Sequence, residues 1–219
     1  MHLKQLNRKL RALGLTLLCT AGAETAYAAV NYYECADKGY INATYASKAG
    51  VIATSNKGSD INLLRDGRLT PLVKSPGAGM YINLSRDGRY VGFKSINNNA
   101  DQAPALLDVE TGKITLLESY VDQCGQVSFA DDGTMAYTMG NTLIVRDGDN
   151  RRRYNLGQYI NIANISPDGQ KVAYTNIEGM MYLLDLASGK TESMDGNGAY
   201  RALWSPDNSK LAVQQVNGS

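Results

Sequence analysis

Short apolar runs alternate along this chain with polar turns, and the turns recur in one form. An apolar run leads into Ser/Ala-x-Asp-Gly, and a second apolar run follows. The motif stands at Ser85-Arg86-Asp87-Gly88, Ala130-Asp131-Asp132-Gly133, Ser166-Pro167-Asp168-Gly169 and Ser205-Pro206-Asp207-Asn208, with a worn copy at Ser47-Lys48-Ala49-Gly50. The Gly or Asn that closes each turn falls at 50, 88, 133, 169 and 208, giving steps of 38, 45, 36 and 39. Asp bonds to its own backbone in such turns, Pro presets φ, and Gly supplies a positive φ, so each copy predicts a tight hairpin. Asn208 suits the same role, because Asn tolerates the left-handed region better than most residues.

A second motif keeps the same rhythm. Leu107-Asp108-Val109-Glu110-Thr111-Gly112-Lys113 matches Leu184-Asp185-Leu186-Ala187-Ser188-Gly189-Lys190, and Arg65-Asp66-Gly67-Arg68 and Arg146-Asp147-Gly148 are weaker copies. A third echo is Tyr-Ile-Asn at 40–42, 81–83 and 159–161. Each repeat therefore predicts four short strands and two hairpins. In the best copy the strands read 160–165, 171–175, 181–186 and 190–194. No helical periodicity is sustained outside the N-terminal segment. Four strands in about 39 residues is the arithmetic of a β-propeller blade. The expected fold is all-β, a β-propeller of four-stranded antiparallel blades. It has four complete repeats at approximately 40–78, 79–122, 123–157 and 158–197, plus a partial fifth over 198–219 whose first two strands are 200–205 and 210–215. Val216 to Ser219 reads as a turn towards a third strand, and the expected ring is incomplete.

The run Ala163-Asn164-Ile165-Ser166-Pro167-Asp168-Gly169-Gln170-Lys171-Val172-Ala173-Tyr174, continuing through Met181-Tyr182-Leu183-Leu184-Asp185 to Gly189-Lys190, resembles the WD40-like repeat of the TolB propeller family. The likeness extends over most of residues 40–219. It implies a propeller domain over 29–219 and leaves function loosely bounded, because a fold does not fix a function. TolB-like propellers have six or more blades, so the chain reads as the front part of a longer protein or as a truncated product. Such propellers also form the N-terminal gate domain of prolyl-oligopeptidase-like serine peptidases.

The N-terminus carries a different pattern. Lys4, Arg8, Lys9 and Arg11 precede an apolar stretch from Leu13 to Ala23, and Ala26-Tyr27-Ala28 forms an A-x-A cleavage signal. Residues 1–28 thus read as a cleavable signal peptide, cut after Ala28, which predicts a periplasmic or secreted protein. The stretch is far short of the ~20 residues a bilayer requires, so no transmembrane anchor is expected. Removing it takes four of 22 basic residues and one of 21 acidic ones, leaving 18 − 20 = −2. That near-neutral charge argues against a nucleic-acid partner. Arg151-Arg152-Arg153, the one basic run, reads as a solvated hairpin loop.

Catalytic chemistry finds little support. The sole His is His2, within the signal segment, so the mature chain has no Ser-His-Asp or Cys-His set and no His-based metal site. Asp131-Asp132 and Asp147 to Asn150 read as turns, since no bidentate Glu completes a calcium loop. No cofactor or metal is expected. Cys35 and Cys124 are candidates for a disulfide in an oxidising compartment. Trp204 is expected to pack between blades, and the Asn-rich loop from Ile96 to Gln102 to join the second and third strands of its repeat. The function expected is a non-catalytic binding or scaffold module of the bacterial cell envelope, with a protein, peptide or glycan ligand. The alternative is the gate domain of a longer hydrolase. The candidate ligand-binding residues lie on the first strands nearest a central channel: Tyr40, Asn42, Tyr81, Asn83, Tyr159 and Asn161, whose rings and amides suit stacking and hydrogen bonding.

Overall fold

The computed structural model describes residues 41–47, 49–55, 58–194 and 198–215, all within the compact unit Tyr33–Ser219. Among them the only regular elements are strands, in five antiparallel sheets. The first sheet holds β1 (Ile41–Ser47), β2 (Gly50–Ser55), β3 (Asp60–Arg65) and β4 (Arg68–Lys74). The second holds β5 (Asn83–Leu84), β6 (Tyr90–Ile96), β7 (Gln102–Asp108) and β8 (Ile114–Leu116). The third holds β9 (Ser128–Phe129), β10 (Met135–Met139), β11 (Thr142–Asp147) and β12 (Asn150–Asn155), and the fourth β13 (Ile160–Ile165), β14 (Lys171–Asn176), β15 (Met181–Asp185) and β16 (Thr191–Met194). A fifth sheet pairs β17 (Ala199–Trp204) with β18 (Leu211–Gln215). Within each sheet the strands follow chain order, so every connection is a hairpin. This is the blade arithmetic of the repeat, four complete units and part of a fifth.

The turn chemistry explains the hairpins atom by atom. Ser85 Oγ donates to Asp87 Oδ1 at 2.7 Å, and Ser166 and Ser205 do the same to Asp168 and Asp207 at 2.6 Å. The same serine oxygens accept the backbone N–H five residues on, at Tyr90, Lys171 and Lys210. In the four clear copies the closing residues take positive φ, from +61° at Asn208 to +91° at Gly133. The second motif is equally local: Asp108 Oδ1 accepts the N–H of Glu110 and Thr111, and Asp185 Oδ1 that of Ser188. Asp66-Gly67 (φ +49° and +76°) makes the two-residue turn that Asp-Gly favours.

The core lies between sheets. Ile52, Ile61 and Leu63 of the first sheet bury against Val91, Phe93 and Leu107 of the second. Leu143 and Val145 of the third bury against Val172, Tyr174 and Leu184 of the fourth. Trp204 packs with Ala173, Met181 and Ala202, which fits its expected place between blades. One expectation is overturned. Arg151, Arg152 and Arg153 are not a loop; they lie on β12, the outermost strand of its sheet. An edge strand has one solvated side and tolerates charge. Arg151 pairs there with Glu118 at 3.1 Å, and Arg152 donates to Leu186 O at 3.2 Å.

Candidate functional site

The first strands of successive sheets are neighbours: β5 lies beside β9, β9 beside β13, and β13 beside β17. Side-chain amides stitch them together. Asn83 Nδ2 donates to Val127 O at 2.7 Å, and Asn164 Nδ2 donates to Ala202 O at 2.7 Å. Both asparagines stand two residues before their turn serine, Ser85 and Ser166, so this is one repeat position making the same bond to the next blade. Gln126 Nε2 donates to Asn164 Oδ1 at 3.3 Å, and Trp204 Nε1 donates to Asn164 O at 3.0 Å.

The fifth sheet then meets the second. Arg201 Nη2 donates to Asn83 Oδ1 at 3.2 Å, across 118 residues of sequence. The hydroxyls of Tyr200 and Tyr81 are hydrogen-bonded, and their rings lie 5.8 Å apart, tilted by 56°. These bonds form a polar circuit: Asn83 to the Val127 carbonyl, Gln126 to Asn164, Asn164 to the Ala202 carbonyl, and Arg201 back to Asn83. Tyr81 has φ +58°, a left-handed conformation that costs a side-chain-bearing residue about 1–2 kcal/mol. Strained residues of this kind cluster at functional sites.

Two of the candidate residues, Tyr81 and Asn83, therefore lie at one site. Tyr159 stands elsewhere, 46% exposed at the start of β13, over Gly140 in the β10–β11 turn. Tyr40 lies outside the described residues, as do the side chains of Asn42 and Asn161 on β1 and β13. The signal segment, Cys35 and residues 216–219 also lie outside them. Tyr200 and Arg201 were not among the candidates, and their bonds to Tyr81 and Asn83 are tertiary contacts that no local motif announces. The position of Asn164 was legible, at the same offset from the turn serine as Asn83.

Several other ionisable groups are held by local bonds or by burial. The backbone N–H of Thr111, together with the guanidinium of Arg89 at 3.1 Å, holds the Asp108 carboxyl below its usual range. Burial pushes the Tyr137 phenol up to about 12, helped by its bond to Glu118. Burial lowers Lys94, whose Nζ donates to Gln102 Oε1 at 3.2 Å. Cys124 is buried, and desolvation pushes its thiol up to about 11; Cys35, its expected disulfide partner, lies outside the described residues. Asp132 Oδ1 accepts the Thr134 N–H, and Asp131 sits 3.8 Å from Arg86, so both carboxylates are engaged at their turn. Among the described residues no three His, Cys, Asp or Glu side chains converge on a metal position.

Two open grooves run between sheets. One of about 520 Å³ lies between the second and third, over Leu106, Leu117, Phe129 and Met135. Another of about 430 Å³ lies between the fourth and fifth, over Leu183, Met194, Trp204 and Leu211. Between the third and fourth sheets Tyr154 packs into the interface, its hydroxyl donating to Leu186 O at 2.9 Å.

Four-stranded sheets packed face to face, with their first strands gathered and cross-linked, define a β-propeller. The chain is similar in structure to TolB from Acinetobacter baumannii, with a TM-score of 0.58 and 19% sequence identity over 82% of this chain and 47% of that one. It thus spans about half the length of that protein. At this identity the likeness shows the fold, and it agrees with the TolB-like resemblance of the repeats. No family model matches the sequence, and no curated protein matches it. Among the described residues no helix is long and apolar enough to cross a membrane.

Proposed function

We propose that this chain is a non-catalytic binding or scaffold module of the cell envelope, which takes a protein, peptide or glycan ligand where its first strands converge. The observation that carries this reading is the Tyr81–Tyr200 and Asn83–Arg201 pairing. It gathers two aromatic rings, an amide and a guanidinium, and the backbone of Tyr81 is held in the left-handed region. Aromatic faces with a few fixed polar groups are the usual make-up of sites for peptides and sugars. The N-terminal pattern of positive residues, apolar stretch and A-x-A signal supports an exported protein.

The test is a binding screen of the purified protein against soluble peptide and glycan arrays, repeated with Tyr81→Ala and Asn83→Ala. A ligand whose binding both substitutions weaken supports the site. Binding indifferent to both, or no binding in either array, refutes it. Cell fractionation with N-terminal sequencing tests the address. A mature protein beginning at Ala29 in the periplasm or medium is expected, and a cytoplasmic chain that keeps Met1 counts against it.

A further inference from the structure

The polar circuit among the first strands leaves two of its own atoms unpartnered. Arg201 Nε is buried without a hydrogen-bond partner, and so is Oε1 of Gln126, a residue 2% exposed. The neighbouring nitrogen of Arg201, Nη2, has one bond, to the neutral amide oxygen of Asn83 at 3.2 Å. Nε and Nη2 form one edge of the guanidinium, and their two parallel N–H groups match the two oxygens of a carboxylate. Here that edge is half filled by a single oxygen. The ion pairs among the described residues are Arg86–Asp131, Arg89–Asp108 and Arg151–Glu118, and Arg201 is in none of them. Arg201 is half-buried rather than enclosed, and its chain neighbour Tyr200 is hydrogen-bonded to Tyr81 through their hydroxyls.

The geometry points to the Nε/Nη2 edge of Arg201 as the receptor for a carboxylate group of the ligand, an inference that rests on the proposed binding site. A carboxylate presents two oxygens where Asn83 presents one. It pairs with Nε as well as Nη2 and frees Asn83 Oδ1 for another donor. A charge-assisted two-point bond replaces one bond to a neutral amide, so the exchange favours the ligand. One guanidinium matches one negative charge, which suits a carboxylate better than a dianionic phosphate. The carboxylate is either a small free acid or the terminus of a peptide.

Trp204, the sole tryptophan, reports on this place, because its Nε1 bonds Asn164 O and the Asn164 side chain bonds Ala202 O, next to Arg201. The experiment titrates the purified protein with N-acetylglycine, with acetyl-tetra-alanine as the free acid and as its C-terminal amide, and with inorganic phosphate. It follows Trp204 fluorescence at constant ionic strength. The same titrations are made on Arg201→Gln and Arg201→Lys, each checked for native circular dichroism. Arg201→Lys keeps the charge and loses the fork, so one correctly folded variant of the two suffices. The expected result is a response to the free acids that is weaker in Arg201→Gln by at least about tenfold, the equivalent of one charge-assisted hydrogen bond, with Arg201→Lys in between. A response to N-acetylglycine assigns a small acid; a response confined to the peptide acid assigns a chain terminus. Either supports the inference. Equal binding of peptide acid and amide overturns it and leaves the binding site itself standing. Tighter binding of phosphate, an undiminished response in Arg201→Gln, or no response to either acid also overturns it.

Discussion

Replacing Asn164 by Ala tests the inter-blade stitching directly. The Asn164 side chain is 6% exposed and accepts from Gln126 Nε2 and donates to Ala202 O. Gln126 and Ala202 are each 2% exposed, so water does not readily replace the lost partner. Truncation leaves one buried donor and one buried acceptor orphaned, at about 1–3 kcal/mol each. The sum is a loss of about 2–5 kcal/mol, after allowing for partial relaxation. For a domain of this size that lowers Tm by roughly 4–20 °C. Denaturant unfolding followed by Trp204 fluorescence measures it. Asn164 holds Trp204 through its backbone carbonyl, so the probe survives the substitution. A double-mutant cycle with Gln126→Ala separates the pair from its surroundings, and a coupling above about 0.5 kcal/mol is expected for residues in contact. Leu203→Asn is the control: it places an amide at the same offset from the turn in the fifth sheet, where the residue is 47% exposed, and changes stability by less than about 0.5 kcal/mol. The reasoning is refuted if Asn164→Ala lies within that same margin of the parent protein.

Three further outcomes follow from other parts of the structure. Gly92→Ala destabilises by about 1–3 kcal/mol in denaturant unfolding, because a Cβ there would stand 2.7 Å from Val127 Cβ and 2.9 Å from Val127 O; a neutral effect contradicts the close approach. The hydroxyls of Ser205 and Ser209 hold the Asp207 carboxyl down to about 2. Its folded value lies below the ordinary ~3.9, so its contribution to stability is present above that value and lost as pH falls towards 2; Asp207→Asn flattens the stability profile in that window, and an NMR titration of the Asp207 carboxyl giving an ordinary value rejects the assignment. The Cys124 thiol, at about 11 and buried, reacts slowly with iodoacetamide at neutral pH in the native protein and quickly after unfolding, read by mass spectrometry of its peptide. Rapid native labelling contradicts its burial.

What was legible in the sequence is what is local. The Ser-x-Asp-Gly turns were readable because the serine and aspartate bond to backbone within five residues. Where Ala130 replaces the serine, the hairpin is shorter by one residue, since Ala130 N pairs with Thr134 O whereas Ser85 N pairs with Tyr90 O. The strands of the fourth sheet were readable to within a residue for the same reason. The run of three arginines misled because charge alone does not distinguish a loop from an outer edge strand.

The Tyr-Ile-Asn echo misled for a more instructive reason. Counted by residue number, the triplets at 81–83 and 159–161 are two periods apart; counted from the turn, Tyr81 stands four residues before Ser85 and Tyr159 seven before Ser166. They do not occupy the same place on their strands. Aligning on the turns instead separates two kinds of position. Two residues before the turn stand Asn83, Ser128 and Asn164 in the second, third and fourth sheets, and each bonds the next sheet: the asparagines to a carbonyl, Ser128 by accepting the N–H of Ile165 at 3.1 Å; in the fifth sheet the exposed Leu203 stands there instead. A polar side chain recurs there because the inter-blade geometry recurs. Four residues before the turn stand Tyr81, Gln126, Ile162 and Arg201, four unrelated side chains at one structural position. That varied position supplies one of the paired tyrosines and the guanidinium bonded to Asn83, as well as the two unpartnered atoms of the circuit, Gln126 Oε1 and Arg201 Nε. In a repeat protein, packing requirements make equivalent positions alike. A position that escapes this constraint on the gathered first strands is free to be shaped by a ligand, and this is the physical ground for the binding site proposed above.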